Sequence, residues 1–461
     1  MPASVASAAL SPQSLLPGLG LALAVCLTQF DVTAIAVALP ALRAEFGFGL
    51  AGAAWVMDAY SLGFVAMLFL AGAMADRFGR RRLLLAGNVV FALASLACGL
   101  AWDGPSLWLA RGLQGGAAAF VVTGGYAALS AAYPADDPAR RARAFGIIGI
   151  VGGSAMALGP TLGGLIADAA GWRWIFFVNL PVCAIADPIV RFATGESRDP
   201  DGRPLDLPGI LLLTLALMLP VQALLHADGP SWQRWAALGA GLAAAAMLAR
   251  QQGRLARPML DPALFARRGT IGVAAVLLAL SLGYWAQLIY LPMFLQAAYG
   301  LAADRTGLAM LAATLPMVLL PPLGAPLVLR LGWRAGLAAG LLLLAAGMAA
   351  LGLLAGLQAP LSLSLAAMVL GACGAGLIHA QAGSAMVTQA PPGQGGMAAA
   401  VTVTLRQGGH AVGIALLGAV LADRSGLAAG FAPGFLLAAA AAALGALAAV
   451  VLIPSAGKRE D

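Results

Sequence analysis

Charge is scarce in this chain: Asp, Glu, Lys and Arg make up 10% of its 461 residues, while 61% are hydrophobic and the mean hydropathy is +0.91. A soluble domain is about a quarter charged. The deficit excludes a soluble globular fold, and with it any soluble domain that could carry the net charge of +7 to a nucleic acid. Cysteine is nearly absent. Cys26, Cys98, Cys183 and Cys373 fall inside apolar runs without CxxC spacing, which reads as small buried hydrophobes, with no metal site or disulfide expected. There are only three histidines, and neither HExxH nor GxSxG occurs, so the constellations of a membrane-embedded enzyme are missing. No GxxxxGK[ST] loop is present either. No cofactor is expected, and any work the protein does must draw on a gradient. No Lys or Arg precedes Arg43, and the first apolar run is too long for a cleaved signal, so it reads as a first span.

What the chain does contain is long apolar runs. Hydrocarbon about 30 Å thick takes about 20 helical residues. Runs of that size lie at 17–39, 50–73, 83–101, 106–131, 144–168, 174–193, 206–226, 233–249, 270–296, 304–328, 334–357, 361–388, 397–421 and 428–454. They predict an all-α polytopic membrane protein with fourteen spans. Residues 72–82, Gly-Ala-Met-Ala-Asp-Arg-Phe-Gly-Arg-Arg-Arg, break two of these runs with four arginines and an aspartate. Such a stretch is a short loop, and its positive charge keeps it cytoplasmic. An even span count then places both termini in the cytoplasm. Under this topology cytoplasmic segments hold 19 of the 26 basic residues and external loops hold 5, with Arg111 and Arg406 inside spans. The asymmetry agrees with the assignment.

The chain also repeats itself. Arg77, Gly79, Arg81 and Gly87 recur at a constant offset of 253 as Arg330, Gly332, Arg334 and Gly340, with Leu329 in the place of Asp76. The repeat predicts two six-helix halves, 1–195 and 270–461, and a linker at 196–269 with two extra spans. Repeated halves around a central site are a secondary transporter's architecture.

Several motifs narrow the reading. Gly72, Asp76, Arg77, Gly79 and Arg80 in the 72–82 stretch resemble the loop-two signature of the major facilitator superfamily. Gly72 would let helices approach closely, Gly79 would permit a tight turn, and Asp76 with the arginines would form a cytoplasmic charge lock that gates alternating access. Arg111, Gln114, Gly115 and Gly116 resemble the superfamily's RxxQG element. Arg111 and Gln114 share a helix face, and a buried guanidinium needs partners or water. Proton coupling and a structural clamp on backbone carbonyls are both open to it. Gly149, Gly153, Gly159, Pro160, Gly163 and Gly164 are similar to the motif that marks antiporters in this superfamily, which implies exchange rather than symport.

The stretches at 30–40 and 172–181, together with Arg257-Pro-Met-Leu-Asp261, Phe265 and Leu405-Arg406-Gln407-Gly408-Gly409, resemble the fourteen-span drug:proton antiporters. Ala36 departs from them, since that family usually has asparagine there. The resemblance implies the major facilitator fold, a hydrophobic and often cationic small-molecule substrate exchanged for protons, and a monomer working in the inner (plasma) membrane of a bacterium. Asp31 and Asp58 each lie about 12–14 Å below the outer surface at about 1.5 Å per residue. An acid in a span is a functional candidate. Lipid and a like-charged neighbour both penalise its anion, so it can exchange protons. The family also places functional acids at both positions. Trp55, one turn from Asp58, would put an aromatic face beside the anion.

Weaker candidates are Arg406, Gln407, His379 and His410. Tyr284, Trp285, Gln287 and Tyr290 could line a cavity or simply pack. Asp187 is expected to pair with Arg191. No acid lies between Asp304 and Asp423, which favours monovalent or neutral substrates.

Overall fold

A computed structural model describes residues 12–132, 138–198, 206–225, 231–255, 258, 260–357, 359–391, 395–422 and 428–454. Among the described residues the chain is helical, with no strand. The helices are α1 (Pro12–Ala34), α2 (Leu39–Phe46), α3 (Leu50–Phe78), α4 (Arg80–Gly99), α5 (Gly104–Ala132), α6 (Pro138–Ala170), α7 (Arg173–Phe177), α8 (Asn179–Ala193), α9 (Leu207–Leu225) and α10 (Ser231–Gln252). They continue as α11 (Arg268–Leu280), α12 (Gln287–Tyr299), α13 (Ala303–Ala309), α14 (Leu311–Leu319), α15 (Pro321–Gly356), α16 (Leu361–Gln389), α17 (Gly395–Ala422) and α18 (Ala432–Leu452). Helix occupies every segment expected to span. Nine helices among the described residues are long and apolar enough, by length and composition, to cross a membrane.

The outer surface suits lipid and not water. Leu93, Leu109, Phe192, Trp235, Leu447 and Val451 are each more than half exposed. Apolar patches of this extent on a soluble protein would drive aggregation; in hydrocarbon they face their solvent. The protein is a multi-pass membrane protein.

Helix breaks fall where the sequence chemistry demands them. Gly79, between α3 and α4, has φ +113°, and Gly332, inside α15, has φ +79°. Side-chain-bearing residues adopt neither conformation readily. These two glycines are partners in the 253-residue repeat, so the repeat is one of backbone geometry as well as of letters. The following repeat pair behaves alike. A Cβ at Gly87 would lie 3.1 Å from the Val121 amide nitrogen of α5, and one at Gly340 would lie 2.9 Å from the Gly374 carbonyl oxygen of α16. Each marks the close crossing of two successive long helices. Gly72 differs from expectation. A Cβ there would make an ordinary 3.8 Å contact with Thr123, so no close helix approach depends on it in this conformation.

In packing, α3 and α4 lie on α5, and α1 lies on α6 and α8; α15 lies on α16 and α18, and α11 on α18. The two groups meet along α3 with α17 and along α6 with α13 and α14. The extra pair α9 and α10 forms a hairpin whose α9 rests on both α3 and α17. Asp206 secures its base, accepting from Gln251 Nε2 at 2.8 Å and from Gln252 Nε2 at 2.5 Å.

Alanine at Gly79 or Gly332 is expected to cost about 1–3 kcal/mol of backbone strain. The loss should be larger at Gly79, where a Cβ would also press within 2.6 Å of Glu196 Oε1. Thermal unfolding of the detergent-solubilised variants checks the order: Gly79→Ala should have the lower midpoint.

Candidate functional site

The largest fully buried side chain among the described residues is Arg111. Helix α5 places it and Gln114 on one face, one turn apart, and both have no solvent exposure. Asp31 of α1 meets them, also fully buried. Arg111 Nη1 forms an ion pair and hydrogen bond with Asp31 Oδ2 and donates to Gln114 Oε1 at 2.6 Å. Asp31 Oδ1 accepts from Gln114 Nε2 and from Asn179 Nδ2 of α8, both at 2.8 Å. Ser95 Oγ of α4 accepts from Gln114 Nε2 at 2.8 Å and Asn179 Nδ2 at 3.2 Å. Arg111 Nε donates to the Val56 carbonyl of α3 at 3.0 Å. Its guanidinium carbon lies 4.5 Å from the Tyr60 ring centroid and 5.7 Å from that of Phe176. The rings supply the stabilisation that the unbonded Nη2 lacks. Arg111 therefore pairs with an acid and clamps a backbone carbonyl. Five helices converge on this one network.

Asp58 of α3 is also fully buried, but neither of its carboxylate oxygens has a hydrogen-bond partner. It sits two residues from the Val56 carbonyl that Arg111 holds, and within electrostatic reach of Tyr290 on α12. Trp55, part-buried, stacks at a tilt on Trp108 with centroids 6.4 Å apart.

The proline-glycine segment of α6 seats on α1. Pro160 has no N–H, so the Met156 carbonyl four residues earlier loses its helical donor. Thr33 Oγ1 reaches that carbonyl at 3.0 Å. Gly159 and Gly163 let the crossing close: a Cβ at Gly159 would lie 3.1 Å from Thr33 Cβ, and one at Gly163 would lie 2.8 Å from Ala34 Cα. The next face of α6 meets the other half. Thr161 Oγ1 donates to the Gly307 carbonyl at 2.7 Å, and a Cβ at Gly307 would stand 2.9 Å from the Pro160 and Thr161 oxygens. Gly149 and Gly153 lie on α6 in a stretch whose side-chain surroundings are outside the described residues.

The 72–82 stretch, expected as a loop, is helical on both sides of Gly79, because α3 runs to Phe78 and α4 starts at Arg80. Across that break Asp76 of α3 pairs with Arg80 of α4 at 3.0 Å. The acid that ties this stretch to another segment is Glu196, which accepts from the Arg81 and Arg82 amide nitrogens at 3.2 Å each. A carboxylate at these first-turn amides satisfies donors that α4 leaves unpaired. Arg77 is exposed and lies over Phe78.

Three of the four residues left between cavity and packing turn out to be ties between helices. Tyr284 donates to Ala313 O at 2.7 Å, Gln287 to Gly434 O at 3.0 Å, and Tyr290 to Ile414 O at 2.7 Å. Trp285 stands apart, buried with no partner for Nε1. Arg406 and Gln407 lie part-buried on α17. Asp187 does not pair with Arg191: it accepts from Asn88 Nδ2 at 2.7 Å, and Arg191 is exposed. Of the 257–261 motif, Asp261 caps a short turn through Ala263 N at 2.9 Å, while Arg257 lies outside the described residues. Sequence reasoning missed Ser95 and Glu196, whose only signal was a polar residue inside or beside an apolar run; Thr33 and Asn179 fall in the 30–40 and 172–181 stretches, which assigned them no role.

A family profile described as Major Facilitator Superfamily matches residues 21–414. The chain belongs to the major facilitator superfamily. It is 34% identical over 397 residues to the multidrug resistance protein Stp of Mycobacterium tuberculosis, covering 85% of this chain and 73% of that protein. It is 34% identical over 401 residues to the puromycin resistance protein pur8 of Streptomyces alboniger, covering 86% and 79%. A solved D-xylose-proton symporter superposes with a TM-score of 0.70 at 16% identity, over 95% of this chain and 98% of that one; this likeness speaks to the fold alone. As a member of the superfamily the protein is a transporter and not an enzyme.

Thr33→Val should lower stability by about 1 kcal/mol by stranding the Met156 carbonyl. Adding Pro160→Ala restores a helical N–H to that carbonyl, so the double variant should lose less than the two singles summed. Thermal midpoints of the four proteins in one double-mutant cycle check the coupling.

Proposed function

We propose that this transporter is a proton-driven exporter of hydrophobic, often cationic drugs across a bacterial inner membrane, with fourteen spans and both termini cytoplasmic. In this reading 1–195 and 270–461 are its two six-helix halves and 196–269 is the linker with the two extra spans. The exporter reading draws support from the resistance proteins it resembles and from the proline-glycine segment of α6. The single observation that carries the coupling is the contrast between two buried acids. Asp31 is saturated by Arg111, Gln114 and Asn179, whereas Asp58 has no donor at all. An unpartnered anion without water is far costlier than a neutral carboxyl. The burial of Asp58 without a donor therefore favours its neutral form in this packing, while Asp31 is the ion-pair partner of Arg111. In the proposed orientation α6 and α13 meet near the outer face, so the protein is closed to the outside. Opening there would wet Asp58, release or reload its proton, and let substrate leave. Substrate from the cytoplasm would bind beside Trp55 and Asp58 and compete with that proton.

A second reading, a dedicated exporter of one endogenous metabolite or self-made antibiotic, is favoured by the similarity to a puromycin resistance protein. Breadth of transport separates the two.

Ethidium uptake into inverted membrane vesicles with an acidic lumen tests the coupling. Wild type should accumulate ethidium until the gradient is collapsed. Asp58→Asn, a neutral isostere of the protonated acid, should keep the wild-type thermal midpoint and lose gradient-driven uptake. Asp31→Asn should lose both, because it strands the Arg111 charge at a cost of about 3–5 kcal/mol. Uptake by Asp58→Asn at the wild-type rate would overturn the assignment.

A further inference from the structure

The second half holds a polar cluster that the coupling scheme does not use. Between α11 and α12 the helix widens into a π-turn, Ser281–Trp285, closed by the Ala286 amide donating to the Ser281 carbonyl at 2.9 Å. Such bulges re-aim side chains and recur at functional sites. Helix α17 packs tightly on this turn: a Cβ at Gly409 would lie 3.0 Å from Ser281 Cβ, and one at Gly413 would lie 2.9 Å from Ala286 Cβ. The neighbouring His410 is 6% exposed. The Trp285 ring meets the imidazole of His379 on α16 edge-on, with centroids 5.1 Å apart. Four buried polar atoms in this small volume have no partner: Trp285 Nε1, Ser281 Oγ, His379 Nδ1 and His410 Nε2. Arg406 shares a face of α17 with His410, one turn away. No ion pair among the described residues neutralises it, and Tyr126 of α5 lies within its electrostatic reach across the interface between halves. Arg406 and His379 keep partial access to space. A guanidinium does not turn that access toward lipid, so the pocket opens inward.

The donors decide the ligand. An indole N–H only donates, a guanidinium only donates, and the Ser281 hydroxyl and His379 imidazole can do either, whereas His410 bonds the Trp285 backbone and leaves Nε2 as an acceptor. Such a set attracts an acceptor, and the uncompensated positive charge favours an acidic one. We infer that the π-turn, α16 and α17 form a binding site for a carboxylate or phenolate oxygen on an aromatic molecule, with Arg406 facing the oxygen and Trp285 and His379 beside the ring. This goes beyond the exporter reading by adding a second site, of opposite polarity to the one proposed beside Asp58, and rests on that reading for its biological sense. Its test requires no gradient.

Equilibrium binding to the full chain in lipid nanodiscs, followed by probe anisotropy, compares 1-pyrenecarboxylate with 1-pyrenemethylammonium, which has the same rings and the opposite charge. Wild type should bind the carboxylate. Arg406→Gln should weaken the carboxylate by about tenfold or more, the worth of a charge-assisted hydrogen bond, and leave the ammonium probe unchanged. Trp285→Phe, which keeps a ring and removes the N–H, should weaken the carboxylate severalfold. If Arg406→Gln does not elute as a single species, Trp285→Phe decides by the same comparison. Wild type that does not bind the carboxylate overturns the site, as do variants that affect both probes equally or neither; ammonium binding beside Asp58 bears on neither outcome. Failed ethidium coupling in vesicles would leave this binding result standing, and loss of this binding would leave proton coupling standing, so the two failures are separable.

Discussion

A guanidinium cannot shed its proton at any attainable pH, so one buried in the membrane must be neutralised in place. Asp31 does this for Arg111, and the rest of the first half is arranged to make the pair tolerable. Gln114, Asn179 and Ser95 occupy the carboxylate and its neighbours, the Val56 carbonyl takes the remaining Nε proton, and Tyr60 and Phe176 close the faces. Because α1, α3, α4, α5 and α8 each contribute a group, the network also fixes where those helices sit. A buried ion pair need not add net stability. Losing one partner is costly, and that makes the arrangement all-or-none.

The pair has a consequence for its neighbour. With the Arg111 charge already committed to Asp31, Asp58 has no ion-pair partner among the described residues. In the proposed coupling, opening and closing of the helices around it would admit or exclude water and so act as a proton switch. The crossing of α1 with α6 stands next to this site. It combines a proline that frees a carbonyl, a threonine that satisfies it and two glycines that let the backbones touch. Such a joint is stiff in its present packing and has few side chains to rearrange if the helices slide.

The halves share their backbone devices and differ in their charges. Gly79 and Gly332 take the same unusual backbone sign, and Gly87 and Gly340 the same crossing role. Yet the first half carries the buried acids, and the second, between Asp304 and Asp423, carries none. Arg406 and the imidazoles of His379 and His410 lie on helices of the second half. In the proposed scheme one half would serve protons and cations and the other acceptors.

Hydropathy alone set the helical class and the helical segments, because hydrocarbon leaves the backbone no alternative. The 253-residue offset disclosed the duplication, and Arg111 with Gln114 could be found from helical spacing. The identity of Asp31 and Asp58 as buried acids was legible for the same reason: a charge inside an apolar run stands out. Their inequality was not, since it depends on which of them lies beside Arg111 across a helix packing that no local pattern encodes. The same holds for Asp187, whose partner proved to be Asn88 and not the arginine one turn away, and for Glu196, which capped α4 from a segment 114 residues downstream. Composition and periodicity determined what had to be buried; only the tertiary structure decided which buried groups had partners, because partners come from other helices.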